Sequence, residues 1–251
     1  MLAFVSGATA GIGEAIAQKL AEAGYRLILA GRRADRLQAL AQQLHAAYGT
    51  AVWPLQFDLQ DGEACNKAIA SLPEAWRTID VLVNNAGLSQ GLHPVHEGDW
   101  ADWDRMIDTN VKGLLRLSQL ISRAMIARNK GHILMVSSIA GKEVYANGNV
   151  YCASKHAVEA ITKSMRLELN PYGIKVSSIA PGLVETEFSE VRFKGDVARA
   201  AQVYQGFTPL KAEDVAEAVL FMLNRPAHVN IADLTILPTA QASSTLVQKQ
   251  L

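Results

Sequence analysis

Apolar positions along the chain fall into two alternating rhythms. Short unbroken runs at 2–5, 26–30, 51–56, 79–83, 132–137, 175–179 and 233–237 have the composition of strands covered on both faces. Longer stretches at 12–23, 34–48, 62–71, 100–128, 150–170 and 213–224 instead repeat their apolar residues every three or four positions, as Leu37, Leu40, Ala41 and Leu44 do, and predict helices. Strand–helix–strand alternation over the whole length predicts an α/β fold. The expected form is a single Rossmann-like doubly wound domain over 1–251, with a seven-stranded parallel sheet and helices on both faces. One segment breaks the rhythm. Residues 186–205 are polar and hold no clear strand; they predict an excursion at about 186–210 over the carboxyl ends of the strands, where open α/β sheets bind ligands.

Composition narrows the partners. Apolar residues make up 49% of the 251 and charged residues 19%, which is ordinary for a packed soluble domain. Lys plus Arg (24) equals Asp plus Glu (24), so no bulk field favours nucleic acid or an anionic membrane. No apolar run approaches the length of a membrane span, and no secretory leader is visible before the first glycine loop. Two cysteines, Cys65 and Cys152, do not make a disulfide framework, so a cytoplasmic location is expected. The six histidines form no metal motif, and His93 and His96 read as surface or pocket-rim residues. Trp100 and Trp103 are expected to pack at the start of a long helix, with Asp99, Asp102 and Asp104 solvating that start and favouring its dipole.

The first strand runs into Ser6-Gly-Ala-Thr-Ala-Gly11-Ile-Gly13 and then a helix. Glycines at 7, 11 and 13 let the backbone turn tightly and approach a pyrophosphate, which the free N–H groups of the helix terminus then bind. The second strand ends in Gly31-Arg-Arg33 without the acid that would hold an unmodified ribose. Two guanidiniums there, near Arg36, suit a ribose 2′-phosphate, and the expected cofactor is NADP(H).

Tyr151 and Lys155 stand four residues apart on a helix and share a face. A free phenol has a pKa near 10, and an adjacent ammonium favours its ionised form, so the pair predicts a proton donor and acceptor working near neutral pH. Ser138 follows the fifth strand and Asn84-Asn-Ala-Gly87 ends the fourth, bringing a hydroxyl and compact residues to the same sheet edge.

The glycine loop, Asn84-Asn-Ala-Gly87, Asn110, Ser138, Tyr151-x-x-x-Lys155 and Pro181-Gly182, in this order and spacing, resemble the short-chain dehydrogenase/reductase superfamily. That resemblance implies that Tyr151 is the general acid/base, that Ser138 hydrogen-bonds the substrate oxygen, that Lys155 holds the nicotinamide ribose and lowers the tyrosine pKa, and that Asn110 positions a relay water. It also implies a cofactor track formed by Gly7, Thr9, Gly11, Ile12, Gly13, Arg32, Arg33, Asp58, Leu59, Asn85, Ala86, Gly87, Pro181, Gly182, Val184 and Thr186, and a homotetramer built through the long helices.

Gly148-Asn-Val-Tyr151, Glu187-Phe-Ser-Glu-Val-Arg-Phe-Lys-Gly195-Asp and Pro226-Ala-His-Val-Asn-Ile231 are similar to the bacterial NADP-dependent 3-hydroxy acid (serine or L-allo-threonine) dehydrogenases. The implied substrate is a small anionic carbonyl/alcohol pair. Sulfoacetaldehyde reduction and general carbonyl reduction are the alternatives, followed by NADPH sensing without turnover. Arg192 either pairs with the substrate's carboxylate or sulfonate, or is a solvated loop arginine or an inter-subunit ion pair.

Overall fold

A computed structural model describes residues 1–250. Seven parallel strands form one sheet in the order β3-β2-β1-β4-β5-β6-β7: β1 (Leu2–Ser6), β2 (Arg26–Gly31), β3 (Val52–Gln56), β4 (Val81–Asn84), β5 (Gly131–Val136), β6 (Ile174–Pro181) and β7 (Asp233–Ile236). The strand order reverses between β1 and β4, which opens a crevice at their carboxyl ends. Strands β1 and β4 are buried at every position, as their unbroken apolar sequences require. Helices cover both faces: α1 (Gly11–Glu22) and α2 (Ala34–Tyr48), then α3 (Gly62–Ala70), α4 (Trp100–Ile107), α5 (Leu114–Arg128), α6 (Asn149–Leu169), α7 (Phe188–Arg192), α8 (Val197–Gln202) and α9 (Ala212–Leu223). One core layer joins Ile16 and Leu20 of α1 to Val219 and Met222 of α9; the other joins Leu117, Ile121 and Met125 of α5 to Val158 and Met165 of α6. No helix of the described residues is long and apolar enough to cross a membrane.

Two expectations need correction. The stretch 100–128 is not one regular helix, because a π-helical segment, Asp108–Gly113, separates α4 from α5. The wider turn lets the side chain of Asn110, 1% exposed, meet the main chain of Leu88: Leu88 N–H donates to its Oδ1 (2.9 Å) and its Nδ2 donates to the Leu88 carbonyl (2.8 Å). The polar stretch after β6 contains two short helices, α7 and α8, the second capped by Asp196. At the start of α4 the roles differ from those expected. Trp100 stacks edge-on against Trp103 but remains 72% exposed, whereas Asp102 is buried and pairs with Lys194 at 2.8 Å. Only Asp99 serves the helix start directly, accepting from Ala101 N–H.

Candidate active site

The crevice is a cleft of about 560 Å³. Gly7, Thr9, Gly11, Ile12, Gly13, Arg32, Arg33, Asp58, Leu59, Asn85, Ala86 and Gly87 line it, together with Ser138, Tyr151, Lys155, Pro181, Gly182, Val184, Thr186 and Arg192. Of the sequence-predicted residues only Asn110 lies behind the wall. Its amide is consumed by Leu88 and by a hydrogen bond to Ser154 Oγ, so it pins the β4 loop to the π-helical turn.

At one end of the cleft the main chain forms the binding surface. Gly7 has φ +65°, and a Cβ there would stand 2.8 Å from Ala86 Cα; one at Gly13 would collide with the Gly7 carbonyl. Ser6 Oγ accepts from the N–H groups of Asn85 and Ala86, which ties the glycine loop to the β4 loop. Ala10 precedes α1 without supplying a side-chain cap, so the first N–H groups of α1 face the cleft without a side-chain acceptor. A pyrophosphate fits such a terminus. Thr109 Oγ1 and Ser137 Oγ, buried and without protein partners, line the same cleft and suit a polar ligand.

The basic cluster already holds carboxylates. Glu187 pairs with Arg33 (3.1 Å) and Arg36 (2.8 Å), and Arg32 faces Asp58 at 3.8 Å. Arg33 also donates to the Thr9 hydroxyl and carbonyl, which aims it along the cleft wall. Arg36, and then Arg33, hold the Glu187 carboxyl below its ordinary value. The anionic partner that cations near a helix N-terminus require comes here from the polar excursion. All these side chains are between 41% and 62% exposed, so each pair is weak and exchangeable.

The other end is more enclosed. Tyr151 is 7% and Lys155 6% exposed, and Lys155 Nζ donates to the Val136 carbonyl at 3.0 Å. Phe188 of α7 covers the tyrosine ring at 5.7 Å. The Arg192 guanidinium lies 5.3 Å from the Tyr151 ring centroid and donates to Ser89 Oγ and Tyr145 Oη, each at 3.1 Å. Burial raises the Tyr151 pKa, and the Arg192 charge and the Ser138 hydroxyl oppose that rise. Lys155 Nζ is 6.0 Å from the Tyr151 ring centroid, and burial brings the Lys155 pKa down to about 8, with Glu159 opposing.

Ser89 and Tyr145 were not singled out from sequence. They stand 103 and 47 residues from Arg192, and no motif spacing links positions so far apart. Glu187 and Glu159 each sit among exposed helical or loop charges in the sequence and carry no local signal.

The short chain dehydrogenase family model matches residues 1–196. The NADP-dependent 3-hydroxy acid dehydrogenase YdfG of Salmonella typhi is 45% identical over 247 residues, 98% of each chain. Sulfoacetaldehyde reductase 2 of Chromohalobacter salexigens is 42% identical, covering 97% of this chain and 96% of that protein. The closed form of a serine dehydrogenase complexed with NADP+ superposes with a TM-score of 0.92 at 43% identity, over 98% of both chains. With the glycine-lined cleft, the buried Tyr151–Lys155 pair and these matches over most or nearly all of its length, the chain belongs to the short-chain dehydrogenase family.

Proposed function

We propose that the protein is an NADP(H)-dependent dehydrogenase that interconverts a small 3-hydroxy acid and its 3-oxo acid or semialdehyde. The observation that carries this reading is a half-buried guanidinium, Arg192, braced by Ser89 and Tyr145 directly above the Tyr151 ring. A substrate short enough to reach Arg192 with its anionic end and Tyr151 with its oxygen fits a 3-hydroxy acid, and the YdfG protein of Salmonella typhi bears that activity in its name. Arg192 would hold the carboxylate by charge-assisted hydrogen bonds.

Arg32 and Arg33, with Arg36 beside them, would hold the 2′-phosphate in place of the carboxylates they now carry. The α1 terminus would hold the pyrophosphate, with Asp58 and Leu59 flanking the adenine. Asn85 to Gly87 and Pro181 to Thr186 would border the nicotinamide end. When bound, the nicotinamide donates or accepts the hydride.

The chain's own residues manage the proton. In reduction the Tyr151 hydroxyl gives its proton to the carbonyl oxygen while Ser138 donates a hydrogen bond to that oxygen. Lys155 stabilises the phenolate that remains and holds the ribose. Asn110, its side chain occupied, would position a relay water through its main-chain carbonyl.

A substrate screen tests the function: NADPH absorbance followed with serine, allo-threonine, 3-hydroxypropionate and sulfoacetaldehyde, each with both cofactors. Turnover of the hydroxy acids with NADP+ and little with NAD+ is expected; no turnover of any anionic substrate would overturn it. A second reading, reduction of sulfoacetaldehyde, is favoured by the Chromohalobacter salexigens relative and by the ability of Arg192 to hold a sulfonate equally well. The proposal extends to a cytoplasmic homotetramer paired through α5 and α6, which expose Leu115 (46%) and Leu167 (79%); sedimentation would measure it.

A further inference from the structure

One turn beyond the reacting groups, on the same buried face of α6, lies a second buried charge. Glu159 is 5% exposed and stands four residues beyond Lys155, one turn along the same helix face. Its Oε1 accepts from Ser178 Oγ at 2.8 Å, and its Oε2 lies 3.8 Å from Lys142 Nζ. Lys142 is more tightly engaged elsewhere, with both carboxylate oxygens of Asp233 at 2.7 and 2.8 Å. The Glu159 carboxylate is therefore buried with one hydrogen bond and a shared cation, which leaves much of its charge uncompensated.

Gly141 shows how closely this carboxylate is pressed to the site. It belongs to the turn that follows Ser138, and a Cβ there would stand 2.8 Å from both the Lys155 carbonyl and Ser137 Oγ, and 3.1 Å from Glu159 Cγ. The Ser138 turn and the Lys155–Glu159 turn of α6 are thus packed main chain against main chain, with Lys142 closing the contact by its ion pair to Glu159.

We infer that Glu159 is a positioning residue for the proton relay: buried one turn from Lys155 on the same face of α6, its carboxylate is the counter-charge of the Lys155 ammonium and braces the turn that carries Ser138. The inference rests on the reading of Tyr151 and Lys155 as that relay. Glu159 acts through Lys155 and touches no reacting atom. Burial alone drives Lys155 toward its neutral form, and Glu159 is the group that resists this.

The charged and titratable groups around Lys155 come from several elements. Tyr151, Cys152 and Glu159 lie on its own helix, Lys142 comes from the turn after Ser138, Asp233 from β7 through Lys142, and Arg192 from α7 above Tyr151. The β4 loop brings the neutral Gly87 and the π-helical turn the neutral Asn110, the Asp108 of that turn pairing with Lys112, and β5 offers its Val136 carbonyl. Glu159 is the one anion of this set on the face of α6 that carries Lys155.

The test is Glu159→Gln, which keeps an acceptor for Ser178 and removes the charge. Lysine side-chain NMR of the protein without cofactor, with the Lys155 signal identified by its loss in Lys155→Ala, reads the ammonium directly. The midpoint should fall by about one pH unit from its position in the parent, and the alkaline limb of the kcat/KM profile should move down with it. A lower turnover at every pH with an unmoved midpoint is the behaviour of a purely structural residue and would overturn the inference. If Glu159→Gln does not fold, Glu159→Met removes the charge with an apolar side chain of similar length, and the Lys155 midpoint should fall in the same way; no fall would overturn the inference equally. The relay itself fails separately, if Lys155→Ala keeps the parent's turnover.

Discussion

The two ends of the cleft solve opposite problems. At the β1–β3 end, the proposed anion recognition would fall to main-chain N–H groups and to arginines 41% to 62% exposed, now paired with carboxylates. At the β5–α7 end, Tyr151 and Lys155 are buried and Arg192 is half-buried, and each charge is held by named partners. A ligand that enters and leaves intact is served by weak, exchangeable contacts. A proton transfer is served by groups whose acidity burial has already shifted. The two ends should therefore respond differently to the same perturbations.

The sharpest contrast is at Tyr151. Tyr151→Phe should lower kcat/KM by about a thousandfold, within the usual range for losing a general acid, while NADPH affinity stays within a few-fold of the parent. Stopped-flow turnover and fluorescence binding measure the two. At the opposite end, Gly13→Ala drives a Cβ into the Gly7 carbonyl and should lower cofactor affinity by about a hundredfold. It should also cost about 1–3 kcal/mol of stability, read by denaturant unfolding. Arg192→Ala comes next: KM for hydroxy acids should rise roughly ten- to a hundredfold, the worth of one charge-assisted hydrogen bond, with NADPH binding unaffected. Arg33→Ala should reverse that pattern, weakening NADPH about tenfold and sparing both NADH and the substrate KM. The smallest effect is that of salt. Raising ionic strength from about 0.05 to 0.5 M should weaken NADPH binding a few-fold while moving the hydroxy-acid KM less, because the Debye length falls most consequentially around exposed charges. Equal salt sensitivity of the two would erase the distinction between the ends.

The same contrast governs what could be read from the sequence. All seven strands were legible from their apolar runs, with ends shifted by a residue or two; the inner strands, buried on both faces, leave no alternation to misread, and the edge strands β3 and β7, though partly exposed, keep enough apolar residues to register. The lining of the β1–β3 end was legible too, since Ser6 to Gly13 and Gly31 to Arg33 are contiguous in sequence and all but Ala8 line the cleft. The π-helical turn at Asp108–Gly113 was not, because its cause is the pairing of Asn110 with Leu88, a tertiary contact across 22 residues that leaves the local periodicity helical. Helices α7 and α8 were hidden for the opposite reason: two turns or fewer of helix make too short a pattern to register. Arg192 could be suspected from its place in the excursion, but its bracing by Ser89 and Tyr145 exists only once β4, the turn before α6 and α7 converge. Glu159 looks like any exposed helical glutamate until burial reveals it.

The central claim is that Arg192 grips the anionic end of the substrate above Tyr151. Its most direct test is a double cycle: kcat/KM for NADP+-linked oxidation of a 3-hydroxy acid and of its methyl ester, in the parent and in Arg192→Ala. The acid should exceed the ester by at least about tenfold in the parent, and that advantage should vanish in the variant. An acid preference that survives the loss of Arg192, or a parent that treats acid and ester alike, would contradict it.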